Sequence, residues 1–95
     1  MKVTMSSNTL TITGNIKSVN DYQEIKTVAD TLVQEHTSII IVIEDSLSIT
    51  SSVIGYFNKL VLKDAVRLSM HVGNQQLMEL LDDLHLTSVF NVKKI

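Results

Sequence analysis

The chain has no cysteine and no proline among its 95 residues, and only three glycines. Without cysteine there is no disulfide, no thiol nucleophile and no thiolate metal site, which fits a reducing compartment. With no proline, no low-complexity segment and no internal repeat, nothing marks a linker, and 95 residues suit one compact domain rather than two with independent cores. Gly14, Gly55 and Gly73 are too scattered to cradle a phosphate. Charge of one sign is lacking as well. The net charge is −2, and the eight basic residues stand singly apart from Lys93-Lys94, so there is no basic stripe of the kind that phosphate-backbone binding requires. Nucleic acid is not an expected partner. Long apolar runs are also missing: Ile39 to Ile43 falls far short of the roughly 20 residues that span a bilayer. The opening MKVTMSSNTL has one lysine and no apolar block long enough for a signal peptide. These absences lead to the expectation of a cytoplasmic domain without membrane insertion.

What is present is ordinary for a folded protein, with 44% hydrophobic and 19% charged residues. Lys2-Val3-Thr4-Met5 and Thr9-Leu10-Thr11-Ile12-Thr13 alternate as half-buried strands do, and Ser6-Ser7-Asn8 between them reads as a tight turn. From Asn20 the period changes. Tyr22, Ile25, Val28, Ala29, Leu32 and Val33 share one helical face, with Asn20-x-x-Gln23 placed as a capping box. Ile39-Ile40-Ile41-Val42-Ile43 is all β-branched, the pattern of a strand buried on both sides in a parallel sheet. Val53, Ile54, Phe57, Leu60 and Val61 predict a second helix to about Asp64, and Arg67 to Val72 a strand ending at Gly73. A third helix follows from about Asn74, its buried side formed by Leu77, Leu80, Leu81 and Leu84, and Ser88 to Val92 reads as a last strand. The expected class is α/β, a single domain over residues 1–95 with a mixed, mostly parallel sheet in the order β-β-α-β-α-β-α-β.

In such sheets, sites form beyond the carboxyl ends of the strands, where the loop Glu44 to Thr50 lies. Three hydroxyls, Thr50-Ser51-Ser52, follow it. A hydrolytic serine would need a base and an oxyanion hole, and Ser51-Ser52-Val53 lacks the flanking glycines of a nucleophile elbow. His36 falls near the end of the first helix, His71 in a strand and His85 after the third helix; none forms an i, i+4 pair suited to a metal. Glu44-Asp45 and Asp82-Asp83 are adjacent pairs, which diverge rather than converge on a substrate. An enzyme is therefore not expected, with no catalytic residue, cofactor or metal. A small-ligand binder using the crevice from Glu44 to Ser52 would have no base, metal set or phosphate loop behind it. Thr50 or Ser51 suits the N-cap of the second helix, which accounts for one hydroxyl and leaves the others. A phosphate on a serine here would be tolerated by the free N–H groups and the helix dipole, and its charge could repel an acidic or apolar partner.

Leu10-x-Ile12-x-Gly14, the strand Ile39 to Ile43, Ser51-Ser52-Val53-Ile54-Gly55, the strand Leu68 to Val72 and Leu80-Leu81-x-x-Leu84-x-Leu86-x-x-x-Phe90 come in the order seen in STAS domains. Over nearly the whole chain from Leu10 the pattern resembles the bacterial anti-sigma-factor antagonists of that family. In those proteins the segment reads Asp-Ser-Ser-Gly-Leu-Gly and its first serine is phosphorylated. The resemblance therefore implies Ser51 as phosphoacceptor, with Thr50 and Ser52 as further candidates for the same mark; Thr50 stands where the family has aspartate and Val53 where it has the first glycine. It also implies a protein partner, an anti-sigma factor that is a serine kinase, and an opposing phosphatase. That partner would be met by the second helix and the loop before it, through Asp45, Ser46, Thr50, Ser51, Ser52, Val53, Ile54 and Tyr56. An alternative within the family is a constitutive accessory subunit of a transport system, without phosphorylation. Members of this type usually continue into a further helix, so a chain stopping at Lys93-Lys94-Ile95 is expected to leave one flank of the sheet less covered and to favour self-association as a dimer.

Overall fold

The computed structural model describes residues 1–95, and its elements follow the expected order: β1 (Lys2–Ser6), β2 (Thr9–Thr13), α1 (Val19–Glu35), β3 (Ser38–Ile43), α2 (Ser51–Leu62), β4 (Arg67–Val72), α3 (Gln75–Asp83) and β5 (Val92–Lys94). The five strands lie side by side in chain order. The first hairpin is antiparallel, with Ser6 opposite Thr9, and each later pair is parallel. Two residues, Ser7 and Asn8, make the hairpin turn, and Ser7 takes φ 55.

Alternation in the strands separates two unlike faces. Leu10 and Ile12 of β2, Ile39, Ile41 and Ile43 of β3, and Met70 and Val72 of β4 are fully buried and stand in register across the sheet. One continuous core of 21 residues joins them to Ile25, Ala29 and Leu32 of α1, Val53, Phe57 and Leu60 of α2, and Leu77 and Leu81 of α3. All three helices thus pack on one face of the sheet. The opposite face carries Thr9, Thr11, Ile40, Val42, Ser69 and His71, which are only half-buried by one another. The expectation that β3 is buried on both sides is therefore corrected. Because successive parallel strands are added in one direction, right-handed crossovers bring every helix to the same side.

Three further boundaries differ. The N-cap of α1 is Ser18, not Asn20, and its capping partner is Asp21, so Asn20 and Gln23 lie inside the helix. On α3, Leu77 and Leu81 are buried, whereas Leu84, 46% exposed, is the C-cap and turns outward. Residues 87–91 form a turn instead of a strand. Phe90 N–H donates to Leu86 C=O and Val92 N–H to Thr87 C=O, which carries the Phe90 ring into the core against Phe57. Strand pairing begins only at Val92.

Candidate functional site

The loops that follow β2 and β3 meet at the carboxyl edge of the sheet and are tied to each other. Gly14 N–H donates to Asp45 Oδ1 at 2.7 Å, and Leu47 N–H donates to Asn15 Oδ1 at 2.8 Å. Between these bonds lies Ser46, the one fully buried polar residue of the chain. Its Oγ accepts from Ile16 N–H at 3.0 Å and donates to Ser48 C=O at 2.7 Å, while Ser48 Oγ donates to Ile16 C=O at 2.9 Å. A buried hydroxyl is tolerated only when it is paired, and this one is satisfied on both sides. The β4–α3 loop closes on the same edge. Gly73 N–H donates to Ile43 C=O, and a Cβ at Gly73 would collide with the backbone carbonyl of Glu44, so only glycine fits.

From this braced edge two helices start. At α1 the capping groups satisfy one another: Ser18 Oγ accepts from Asp21 N–H, and Asp21 Oδ2 accepts from both Lys17 N–H and Ser18 N–H. Those backbone bonds, the one from Lys17 foremost, hold the Asp21 carboxyl below its usual pKa. At α2, Thr50 is the N-cap and its Oγ1 accepts from Val53 N–H at 3.3 Å. Ser51 and Ser52 are exposed, and neither hydroxyl bonds within the chain. The three consecutive hydroxyls are thereby sorted into one structural cap and two free groups.

The two free serines face different surroundings. Ser52, with Thr50, lines a shallow pocket of about 130 Å³ completed by Lys17, Ser18, Val19 and Tyr22 from the start of α1. Ser51 is exposed and is not among its lining residues. Reading the sequence missed Lys17 and Ser18 because they lie in the other loop, and only the parallel pairing of β2 with β3 brings the two helix starts together. Beyond the serines the outer surface of α2 continues over half-buried Ile54 and exposed Gly55 to exposed Lys59 and Leu62. A Cβ at Gly55 would meet no atom within 4 Å.

Several residues expected to touch a partner are instead used internally. Ser46 and Val53 are fully buried, and Tyr56 is 4% exposed, so none offers a side-chain surface. Asp45 is exposed but its carboxylate holds Gly14 N–H. Tyr56 joins α2 to α1: its Oη donates to Asp30 Oδ1 at 2.5 Å, and Lys26 Nζ lies 2.9 Å from Asp30 Oδ2 and 5.7 Å from the Tyr56 ring centroid. Burial first, and then the bond to Asp30, raises the Tyr56 phenol far above its usual range. Partial burial works against ionisation of Asp30, but the bonds from Tyr56 and Lys26 outweigh it and lower its pKa. From the expected set, Ser51, Ser52 and Ile54 remain as side chains on the surface, with Thr50 at its margin.

Chemically, the edge offers hydroxyls and one lysine. His36 is the C-cap of α1, at the far end of that helix, and His71 lies within β4. No three His, Asp or Glu side chains come together in a cluster suited to a metal ion. No helix is long and apolar enough to cross a membrane. Among known proteins, no family model, no curated protein and no solved structure matches the chain.

Proposed function

We propose that the chain is a non-enzymatic regulatory module of STAS type that docks a protein partner on the outer surface of α2, with Ser51 as the residue whose phosphorylation releases that partner. The observation that carries the reading is Gly55. A glycine inside a helix costs about 0.5–1 kcal/mol relative to alanine, and no contact within the fold requires one here. A bare backbone patch one turn beyond two unbonded serines is what close approach by another chain would need. The same patch lies in register with the segment Ser51-Ser52-Val53-Ile54-Gly55 on which the resemblance to anti-sigma-factor antagonists rests. Thr50 keeps the N-cap when Ser51 is modified, so an added phosphate would sit at the positive end of the helix dipole and leave the fold intact. A serine kinase of anti-sigma type and a phosphatase are the partners this scheme requires.

A second reading, a constitutive accessory subunit of a transport system, is favoured by the threonine at position 50. Its hydroxyl is committed to Val53 N–H, and position 50 supplies no carboxylate to assist phosphoryl transfer to Ser51. Affinity purification of the tagged chain, of Ser51→Ala and of Ser51→Asp separates the two. The switch requires that aspartate abolish a partner that alanine retains, and that this partner have kinase activity. Equal retention by both variants, with a transporter ATPase as the bound protein, would select the second reading.

A further inference from the structure

Parallel sheets are as a rule covered on both faces, yet the four parallel strands here carry helices on one face only. The uncovered face has an apolar centre. Ile40 and Val42 of β3 stand two residues apart and are half-buried, flanked by hydroxyls of β2 and by Ser69 and His71 of β4. Around that centre are three exposed cations, Lys2 on β1, Arg67 at the start of β4 and Lys93 on β5. None of the ten carboxylates lies in a strand; helices and loops hold all ten. Glu44, the residue after β3, marks the acidic limit of the face. The bare face thus presents three cations and no strand carboxylate, while the other five basic residues, Lys17, Lys26, Lys59, Lys63 and Lys94, lie elsewhere.

We propose that this open face docks an acidic amphipathic helix from a partner protein, its apolar side on Ile40 and Val42 and its carboxylates toward Lys2, Arg67 and Lys93. Charge complementarity selects this occupant. A second copy placed face to face would bring cations against cations. Single-stranded nucleic acid would find no Phe, Tyr or Trp to stack on, since Tyr22, Tyr56, Phe57 and Phe90 are the only such residues and none is in a strand. The face lies across the sheet from α2, so this surface is independent of the one proposed above.

The test is an NMR titration of the isotopically labelled full chain with three probes: a synthetic helical peptide with a leucine stripe and glutamates opposite, a peptide of the same composition with the stripe scrambled, and oligouridylate. The striped peptide is expected to shift the amides of Ile40, Val42, Ser69 and His71 and to leave those of Ser51 to Gly55 in place. Arg67→Glu with Lys93→Glu, both at exposed positions, is expected to weaken binding by about tenfold at low salt while the spectrum of the fold is kept. No shift with the striped peptide, equal binding of the scrambled one, or shifts confined to α2 would overturn the proposal. So would tighter binding of oligouridylate on the same residues, or dilution-dependent shifts there without peptide, which would assign the face to nucleic acid or to a second copy.

Discussion

Helices α1 and α2 begin at the same edge of the sheet, and their first turns are finished differently. At α1 the capping residue, its carboxylate partner and the preceding backbone amides satisfy one another. At α2 one hydroxyl caps and the next two are left unbonded. Both helices bury an apolar face against the same core, so packing does not account for the contrast. A helix start needs one good cap; polar groups in excess of that are available for something outside the fold.

The comparison depends on an edge that is held rigid, and the largest effects should come from releasing it. Gly73→Ala forces a Cβ against the Glu44 carbonyl, a backbone atom that cannot swing away. The expected loss of stability is about 3 kcal/mol, read by urea denaturation, and it should loosen both helix starts together. Ser46→Ala comes next. It leaves the Ile16 N–H without its buried acceptor and removes one of the four hydrogen bonds that tie the β2–α1 loop to the β3–α2 loop, at an expected cost of about 2 kcal/mol. A cost below about 0.5 kcal/mol would mean that water replaces the hydroxyl and that the bonds of Asp45, Asn15 and Ser48 suffice to hold the two loops together.

Much of this arrangement could be read in the sequence, and the failures have distinct physical causes. Seven of the eight elements and the order of all eight follow from periodicity, because Leu10 and Ile12 alternate while Ile25, Ala29 and Leu32 recur at helical spacing; the last strand, expected over Ser88 to Val92, begins only at Val92, because Phe90 is turned into the core. The cap of α1 was misplaced to Asn20 because Asn20-x-x-Gln23 and Ser18-x-x-Asp21 have the same spacing, and only the backbone decides which one sits at the boundary. The run Ile39 to Ile43 suggested two buried faces because all five residues are β-branched; whether helices lie on one side or both is a property of strand order, which periodicity does not contain. At the site, the hydroxyl cluster was visible but its division into cap and free groups was not. Asp45 and Ser46 looked like surface residues because their partners, Gly14 and Ile16, belong to a loop about thirty residues earlier.

Within α2 the three hydroxyls should separate on substitution. Thr50→Ala removes the cap and is expected to cost about 1 kcal/mol, whereas Ser51→Ala and Ser52→Ala should each change stability by less than about 0.5 kcal/mol. Comparable losses at all three positions would show that the serines also support the helix start. Acid should distinguish α1 from α2. The Asp21 carboxyl is held below its usual pKa in the folded chain, so its contribution is present above about pH 4, near the unfolded value, and is lost as pH falls through the lowered one. The amide shifts of Lys17 and Ser18 should follow that titration, while those of Val53 and Ile54, capped by an uncharged threonine, should stay flat.

A modest effect tests the contrast most directly, because it is expected to have the opposite sign. Gly55 lies in the interior of α2, and nothing lies within 4 Å of where its Cβ would be, so Gly55→Ala meets no steric objection and removes backbone freedom from the unfolded chain. Thermal denaturation should show a gain of about 0.5–1 kcal/mol. The same side chain would stand between the helix and any chain packed closely on it. If the α2 surface is a docking site, the more stable Gly55→Ala should bind its partner less well, and Gly55→Arg should not bind it at all while remaining folded. A substitution that stabilises the domain and leaves every interaction unchanged would show that the bare patch is not used, and the two unbonded serines beside it would then lose their explanation.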